Sequence, residues 1–406
     1  MKRASMAIAV LATLAVVSSI SVAPADDETD TRVVNCDQGD TLAHALQQAQ
    51  PGATIRVTGT CHEAVAITTD RVTLDGAGTA ILDGGGQDVL RVDSAHNVTV
   101  TGLTVRNGGV GVHVVGGASL VLRTTTVEHN TNQGSLITSS QAQLIDSTAR
   151  HNGTMGIMVV AGASANVFGT VVSHDNFWGI VILGSSTLSA PFGTPATVRT
   201  HHNVRDGMLV SGGAQIALLA AGQVVETHDN GGSGLLIASS ATVLVLFGST
   251  VDAQHNQVHG IALFASAALN ASDGVTIRAQ GNVQDGIHVA QNTAFGVTIF
   301  FGLVPLPQVV EASDNGGHGL SASAGASIAV DSTILTSRHN GGAGLLVDDG
   351  STATLVGTPG TPVTLTENGR NDVLLSFGSR ATLVGTTIGT LTCDPTVLIR
   401  GTVACP

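Results

Sequence analysis

Just ahead of a series of recurring asparagines the chain places His129, His151, the pair His174-Asp175, the pair His201-His202, the pair His228-Asp229, His255 and His339. An imidazole titrates near neutral pH and can take a transition metal, and a neighbouring aspartate fixes its tautomer or raises its pKa. If copies of the pattern stack as coils about 4.8 Å apart, His174, His202, His228 and His255 form one column, with Asp175 and Asp229 roughly 10 Å from each other. His174, Asp175, His202, His228 and Asp229 are therefore the candidate acid–base groups. Phe177 and Trp178 in the turn of one coil, together with Arg199, Arg205 and His255, are the candidate binding residues, because an aromatic face suits the apolar face of a pyranose. A plainer account stands beside this one: a solenoid repeats one environment in every coil, so the histidines can be a structural ladder and Phe177-Trp178 a local plug.

What must position these residues is a repeat. From about residue 97 a strand-like run is followed by Asn, three variable residues, Gly and two to four apolar residues, as at Asn130/Gly134, Asn152/Gly156, Asn203/Gly207, Asn230/Gly234, Asn256/Gly260, Asn282/Gly286, Asn315/Gly319 and Asn340/Gly344. Successive Asn lie 22 to 33 residues apart, a length that suits one solenoid coil. Within a copy, Val, Ile, Thr, Leu and Ala alternate with period two, as in Ile157-Met158-Val159-Val160, which predicts strands rather than helices. The expectation is that Asn adopts the left-handed conformation and bonds its neighbours in adjacent coils, while Gly supplies a positive φ. A leucine-rich repeat lacks its fixed Leu positions here, and a propeller its aromatic blade signatures.

At this point the chain resembles the right-handed parallel β-helix of the pectate-lyase-like superfamily, over about residues 53 to 400. The resemblance implies an all-β, single-stranded right-handed solenoid of roughly twelve to thirteen coils, covering 53–406, with a short capping helix in the segment 26–52. Asp40 to Ala49 reads as that helix, with Asp40 as its N-cap and Pro51-Gly52 as its stop. The superfamily includes lyases, hydrolases and epimerases of acidic polysaccharides, and their motifs are mostly missing. His259-Gly260 and His318-Gly319 match the His-Gly of polygalacturonase-like hydrolases, yet the pair Asp348-Asp349 follows both and no Arg-Ile-Lys occurs. The Asp-Pro-His-Asp of mannuronan epimerases is absent too, since Asp394-Pro395 continues as Thr396.

Residues 1–25 read as a secretory leader: Met1-Lys2-Arg3, an apolar stretch from Ala7 to Val22, and Ala23-Pro24-Ala25. A secreted, periplasmic or envelope address is expected, with no spanning helix. Such a compartment lets Cys36 pair with Cys61 and Cys393 with Cys405 as staples at the two ends. The rival, a zinc site, lacks close Cys-x-x-Cys spacing. Beyond the leader, 14 Arg face 29 Asp and Glu, a formal charge of −15. Nucleic acid is disfavoured as a partner, and so are uronate polymers unless Ca2+ bridges the charges. A neutral glycan or an exported protein fits better, bound on a lateral face without catalysis; a polysaccharide lyase, hydrolase or epimerase is the alternative. No other cofactor is indicated, and neither a metal site nor an oligomeric state is legible.

Two surface features complete the reading. Thr187–Val198 and Ala294–Gln308 are longer than their neighbours and are expected to leave the body as loops. The residues after each inward-pointing turn neighbour (His113, Met158, Val181, Leu209, Leu236, Ala262, His288, Ser321 and Leu346) form an outward row with an apolar middle. That row is expected to be covered by the loops or by another molecule.

Overall fold

Short alternating runs punctuated by Gly and Asn cannot close a core alone, and in the computed structural model they close one by winding around a common axis. Residues 31–299 and 307–405 are described; the leader and Phe300, Phe301 and Pro305 of the second long segment lie outside them. Every strand pairs in parallel with its counterpart one coil away. A typical coil carries Ser135–Thr138, Gln141–Ile145 and Thr148–Arg150, here called the first, second and third rows. The first row builds a sheet of fourteen strands, and the other two build the larger sheet. The fold is thus a right-handed parallel β-helix of about 14 turns, slightly longer than the Asn spacing implied, because the first coils lack the Asn-x-x-x-Gly signature. Inward residues such as Ile137, Leu144 and Ala149 are buried, and each large aliphatic contributes about 1.5–3 kcal/mol by leaving water.

The N-terminal end is closed as expected, with one difference. The helix is Leu42–Gln47, its N-cap is Thr41, and Thr41 makes no side-chain cap bond. The Glu63 carboxylate reaches across from the first coil and accepts the N–H groups of Leu42 at 2.6 Å and Ala43 at 3.0 Å. Asp40 accepts the Asn35 N–H instead, at 3.0 Å. Leu42, Ala45 and Leu46 bury themselves against the open end of the core, which removes the apolar edge a bare first coil would expose. The strand Thr31–Asn35 also lies beside Thr54–Thr58 in parallel register. Disulfides Cys36–Cys61 and Cys393–Cys405 tie the two ends. No helix among the described residues is long and apolar enough to cross a membrane.

The corner between the third and first rows is where Asn and Gly act, by a route different from the one the sequence suggests. From Asn130 to Asn368 the Asn side chains form a ladder inside the corner. Asn203 donates Nδ2–H to Asn230 Oδ1 at 2.9 Å and to Ser173 O at 3.2 Å, and its backbone N–H meets the same Oδ1 at 3.2 Å. Asp372 ends the ladder by accepting both Asn368 donors. The left-handed residue is the one before each Asn: His129, His151, Asp175, His202, Asp229 and His255 have φ of 52 to 55°. The repeat Gly residues do not need positive φ. A Cβ on Gly234 would stand 2.7 Å from Asn256 Nδ2 and 2.7 Å from Gly260 O, so these glycines serve close approach. Asn107 is the exception, lying outside the ladder at φ 58° and donating to Asp83.

Candidate functional site

Asparagine, aspartate and histidine are enriched in the left-handed region, and half of the predicted column, His202 and His255, stands at such a position. Register shows two columns where the sequence suggested one. His174, His201 and His228 are cross-coil partners at the last position of the third row. Asp175, His202, Asp229 and His255 occupy the left-handed position one residue later. His202 and His255 therefore do not share a column with His174 and His228; the strand takes one more residue before it turns. The side chain that completes the strand-end column is His201.

The two columns do come together as a surface array. The His201 ring stacks on His174 at 4.7 Å and on His228 at 5.0 Å. His174 Nδ1 is 2.6 Å from Asp175 Oδ2, His228 Nδ1 2.8 Å from Asp229 Oδ2, and His201 Nδ1 2.8 Å from His202 Nδ1. Burial, reinforced by the adjacent imidazoles His174 and His228, pushes His201 down to about 4. The His228 hydrogen bond holds Asp229 below the usual carboxylate range. For Asp175 burial acts the other way, yet the bond from His174 wins and its pKa is lowered as well. His228 and His255 border a cleft of about 320 Å³ with Glu226, Asp252 and Gln254. Arg199 lies on this face too, held by Glu226 at 2.5 Å.

The long loop does not wall this array. Thr187–Ser189 and Ala196–His201 are strands, so only residues 190–195 leave the body, at the corner between second and third rows. Gln223 holds them there by donating to Ala190, Pro191 and Thr194 carbonyls, and Phe192 packs against Phe247 at 6.2 Å. Five residue steps of strand, about 16 Å, separate that corner from His201. In the second segment Ala294–Val297 and Gln308–Glu311 are likewise strands.

Around the Asn corner, on the outer face of the first row, a different set of side chains converges. Phe177 and Trp178 meet edge to face at 4.5 Å, and the Arg205 guanidinium sits 5.9 Å from the Phe177 ring centre. These three predicted binding residues are thus together, apart from Arg199 and His255. Asp206 stands beside Trp178, where burial raises its pKa and a bond from the Ser233 N–H at 2.7 Å only partly offsets the rise. Next to them runs the outward row, in register from Leu136 through Met158, Val181, Leu209 and Leu236 to Ala262. It is not a bare stripe: Val181 and Ala262 are fully buried by their neighbours, and the other four are half-buried.

The row ends at a cluster that the sequence reading named only in passing. Asp285 is buried and charged, its Oδ1 accepting the His318 N–H at 2.7 Å and its Oδ2 accepting Ser321 Oγ–H at 2.7 Å and His288 Nδ1–H at 3.1 Å. Burial opposes ionisation, but these bonds carry its pKa down to about 2. His259 stacks on His288 at 4.5 Å and is pushed to about 4 by burial and by His288. Trp178, Asp206, His259, Asp285 and His318 each directly precede a repeat Gly. A titratable or aromatic residue at that position was the signal available in sequence.

Residues 54–193 match the family described as right handed beta helix region. Among solved structures the chain is similar to an Azotobacter vinelandii mannuronan C-5 epimerase A-module (13% identity, 92% of this chain and 100% of that one, TM-score 0.46). It is also similar to a pectate lyase (16%, 71% and 78%, TM-score 0.38) and to an alginate lyase from Paenibacillus sp. str. FPU-7 (12%, 91% and 99%, TM-score 0.31). No curated protein sequence matches. At such identities nothing of their chemistry transfers; register, coil count and the match over 54–193 together make the chain a right-handed parallel β-helix protein.

Proposed function

We propose that the protein is exported and binds a neutral polysaccharide, without turning it over, along the outer face of the first strand row. The observation that carries this reading is the grouping of Trp178, Phe177, Arg205 and Asp206 beside a half-buried apolar row. An indole offers the apolar face of a sugar ring a flat partner, and the charged groups beside it offer hydrogen bonds to hydroxyls. The formal charge of −15 beyond the leader opposes uronate polymers unless Ca2+ bridges them. The two disulfides are consistent with an oxidising compartment. An exported protein partner on the same face is the other occupant compatible with the apolar row.

A second reading, a polysaccharide-active enzyme, is favoured by Asp206 alone. A carboxyl whose pKa is raised by burial beside an aromatic ring suits a proton donor to a glycosidic oxygen. The test is retention on immobilised neutral and acidic glycans, with and without Ca2+, alongside assays for new reducing ends and unsaturated products. Retention without cleavage supports the binding reading, cleavage supports the enzyme, and silence in both assays overturns both.

A further inference from the structure

We propose that His259, Asp285 and His288 form a binding site for one divalent transition-metal ion of the Zn2+ class. The three residues come from the first-row entries of two successive coils, and one donor atom from each lies within 4.8 Å of the others. Asp285 Oδ2 is 3.1 Å from His288 Nδ1 and 3.9 Å from His259 Nδ1. Donors bound to zinc at about 2.0–2.1 Å in a tetrahedron stand roughly 3.3 Å apart, so ring rotations that move atoms by about an ångström complete the geometry.

Three observations separate this cluster from an ordinary polar ladder. The repeat does not fix these residue types: the position before the repeat Gly, held here by His259 and Asp285, carries Met155, Trp178, Asp206, Ser233, His318 and Ala343 in other coils, and the column of His288 runs through Leu236 and Ala262. The carboxylate is almost enclosed, with 11% of its side chain accessible, and only imidazoles stand at ion-pair distance among the described residues. A buried carboxylate without an Arg or Lys is a group that a cation would complete. Its orientation is also fixed from outside the donor set, by the His318 N–H on Oδ1 and the Ser321 hydroxyl on Oδ2, the outer-shell arrangement that metal carboxylates use. Two imidazoles and one carboxylate favour zinc, copper or nickel over calcium or magnesium. On binding, His288 moves its proton from Nδ1 to Nε2, and His259 Nδ1 gives up the Asp285 N–H it accepts at 3.2 Å. Three protein ligands would leave a fourth position for water or substrate, as in catalytic metal sites. This inference does not depend on the glycan reading.

The experiment is calorimetric titration of untagged, metal-stripped protein with Zn2+, and with Ca2+ for comparison, together with Co2+ absorption spectra. One tight Zn2+ site per chain is expected, weakened at least about 100-fold by His259→Ala or His288→Ala and roughly 10- to 100-fold by Ser321→Ala. The paired substitution His201→Ala with His202→Ala, in the exposed array, must leave that site intact. Absence of a tight site, its survival in the His259→Ala/His288→Ala double variant, or its loss from the exposed-array variant would each overturn the proposal. If the cluster variants fail to fold, the Co2+ spectrum of the unaltered protein decides: intense four- or five-coordinate bands support the site, and weak octahedral bands sink it.

Discussion

Asn203 and Asn230 stand one above the other in consecutive coils, and the Oδ1 of Asn230 takes two hydrogen bonds from Asn203, one from its amide nitrogen and one from its backbone N–H. Both residues are buried. Truncating a rung leaves the donors of the preceding coil without a partner, which costs about 1–3 kcal/mol for each stranded group. Asn230→Ala should therefore destabilise by about 2–4 kcal/mol, whereas Asn107→Gly, outside the ladder and losing only an exposed bond to Asp83, should cost no more than about 1 kcal/mol. Chemical denaturation of both variants checks the contrast; equal losses would show that the ladder contributes nothing special.

The glycines divide in the same way. Gly234→Ala would put a Cβ 2.4 Å from Thr227 Oγ1 and 2.7 Å from the next Asn side chain, and about 3 kcal/mol or more of overpacking is expected. Gly162 has φ 74° with nothing within 4 Å of a Cβ, so Gly162→Ala should cost only the conformational term, about 1–2 kcal/mol. Thermal unfolding of the pair should rank them in that order.

His201 gives the protein a signed pH dependence. Its folded pKa, about 4, lies below the ordinary value of 6.5, so between those values the unfolded chain binds the proton and the native state does not. Stability should fall as pH is lowered from about 6.5 toward 4 and should not fall further on this group's account below that. His201→Gln removes the group, and melting temperatures of the variant and the parent across this window should converge toward the acid end. A parallel pair of curves would refute the assignment.

For the binding face, Trp178→Ala should reduce glycan retention at least about tenfold, while His202→Ala with Asp229→Asn leaves it unchanged. Asp206→Asn keeps the size and the accepting oxygen of the carboxyl, so retention should persist; any turnover that depends on Asp206 as proton donor should vanish. Affinity chromatography of the three variants, run beside a reducing-end assay, distinguishes these outcomes.

The architecture was legible because a coil repeats its constraints: period-two alternation and the Asn spacing both pointed to stacked parallel coils. The site was less legible because a backbone requirement and a chemical one favour the same residue types. His202, Asp175 and Asp229 look like an acid–base set in sequence, and the left-handed position before each Asn also favours such residues on conformational grounds. Conversely, Asp285 and His318 are distant in sequence, and only the coil register brings the His318 N–H onto the Asp285 carboxylate. Phe177, Trp178 and Arg205 were singled out by residue type and the structure brings them together, whereas their neighbour Asp206 was passed over because its environment, Trp178 on one side and the Ser233 N–H on the other, lies on the adjacent coils. Helix capping shows the same limit, since Glu63 acts from 21 residues away where a local rule pointed to Asp40.

The two disulfides have a consequence for how the molecule comes apart. Interior coils are held from both sides, but the outermost ones have a single neighbour, so a solenoid frays from its ends inward. Cys36–Cys61 and Cys393–Cys405 each close a loop within a terminal turn, where a break would otherwise start. Reduction should thus leave the middle of the spiral nearly untouched while amide exchange accelerates first at the two tips and advances coil by coil, like a spring unwinding once its end clamps are released.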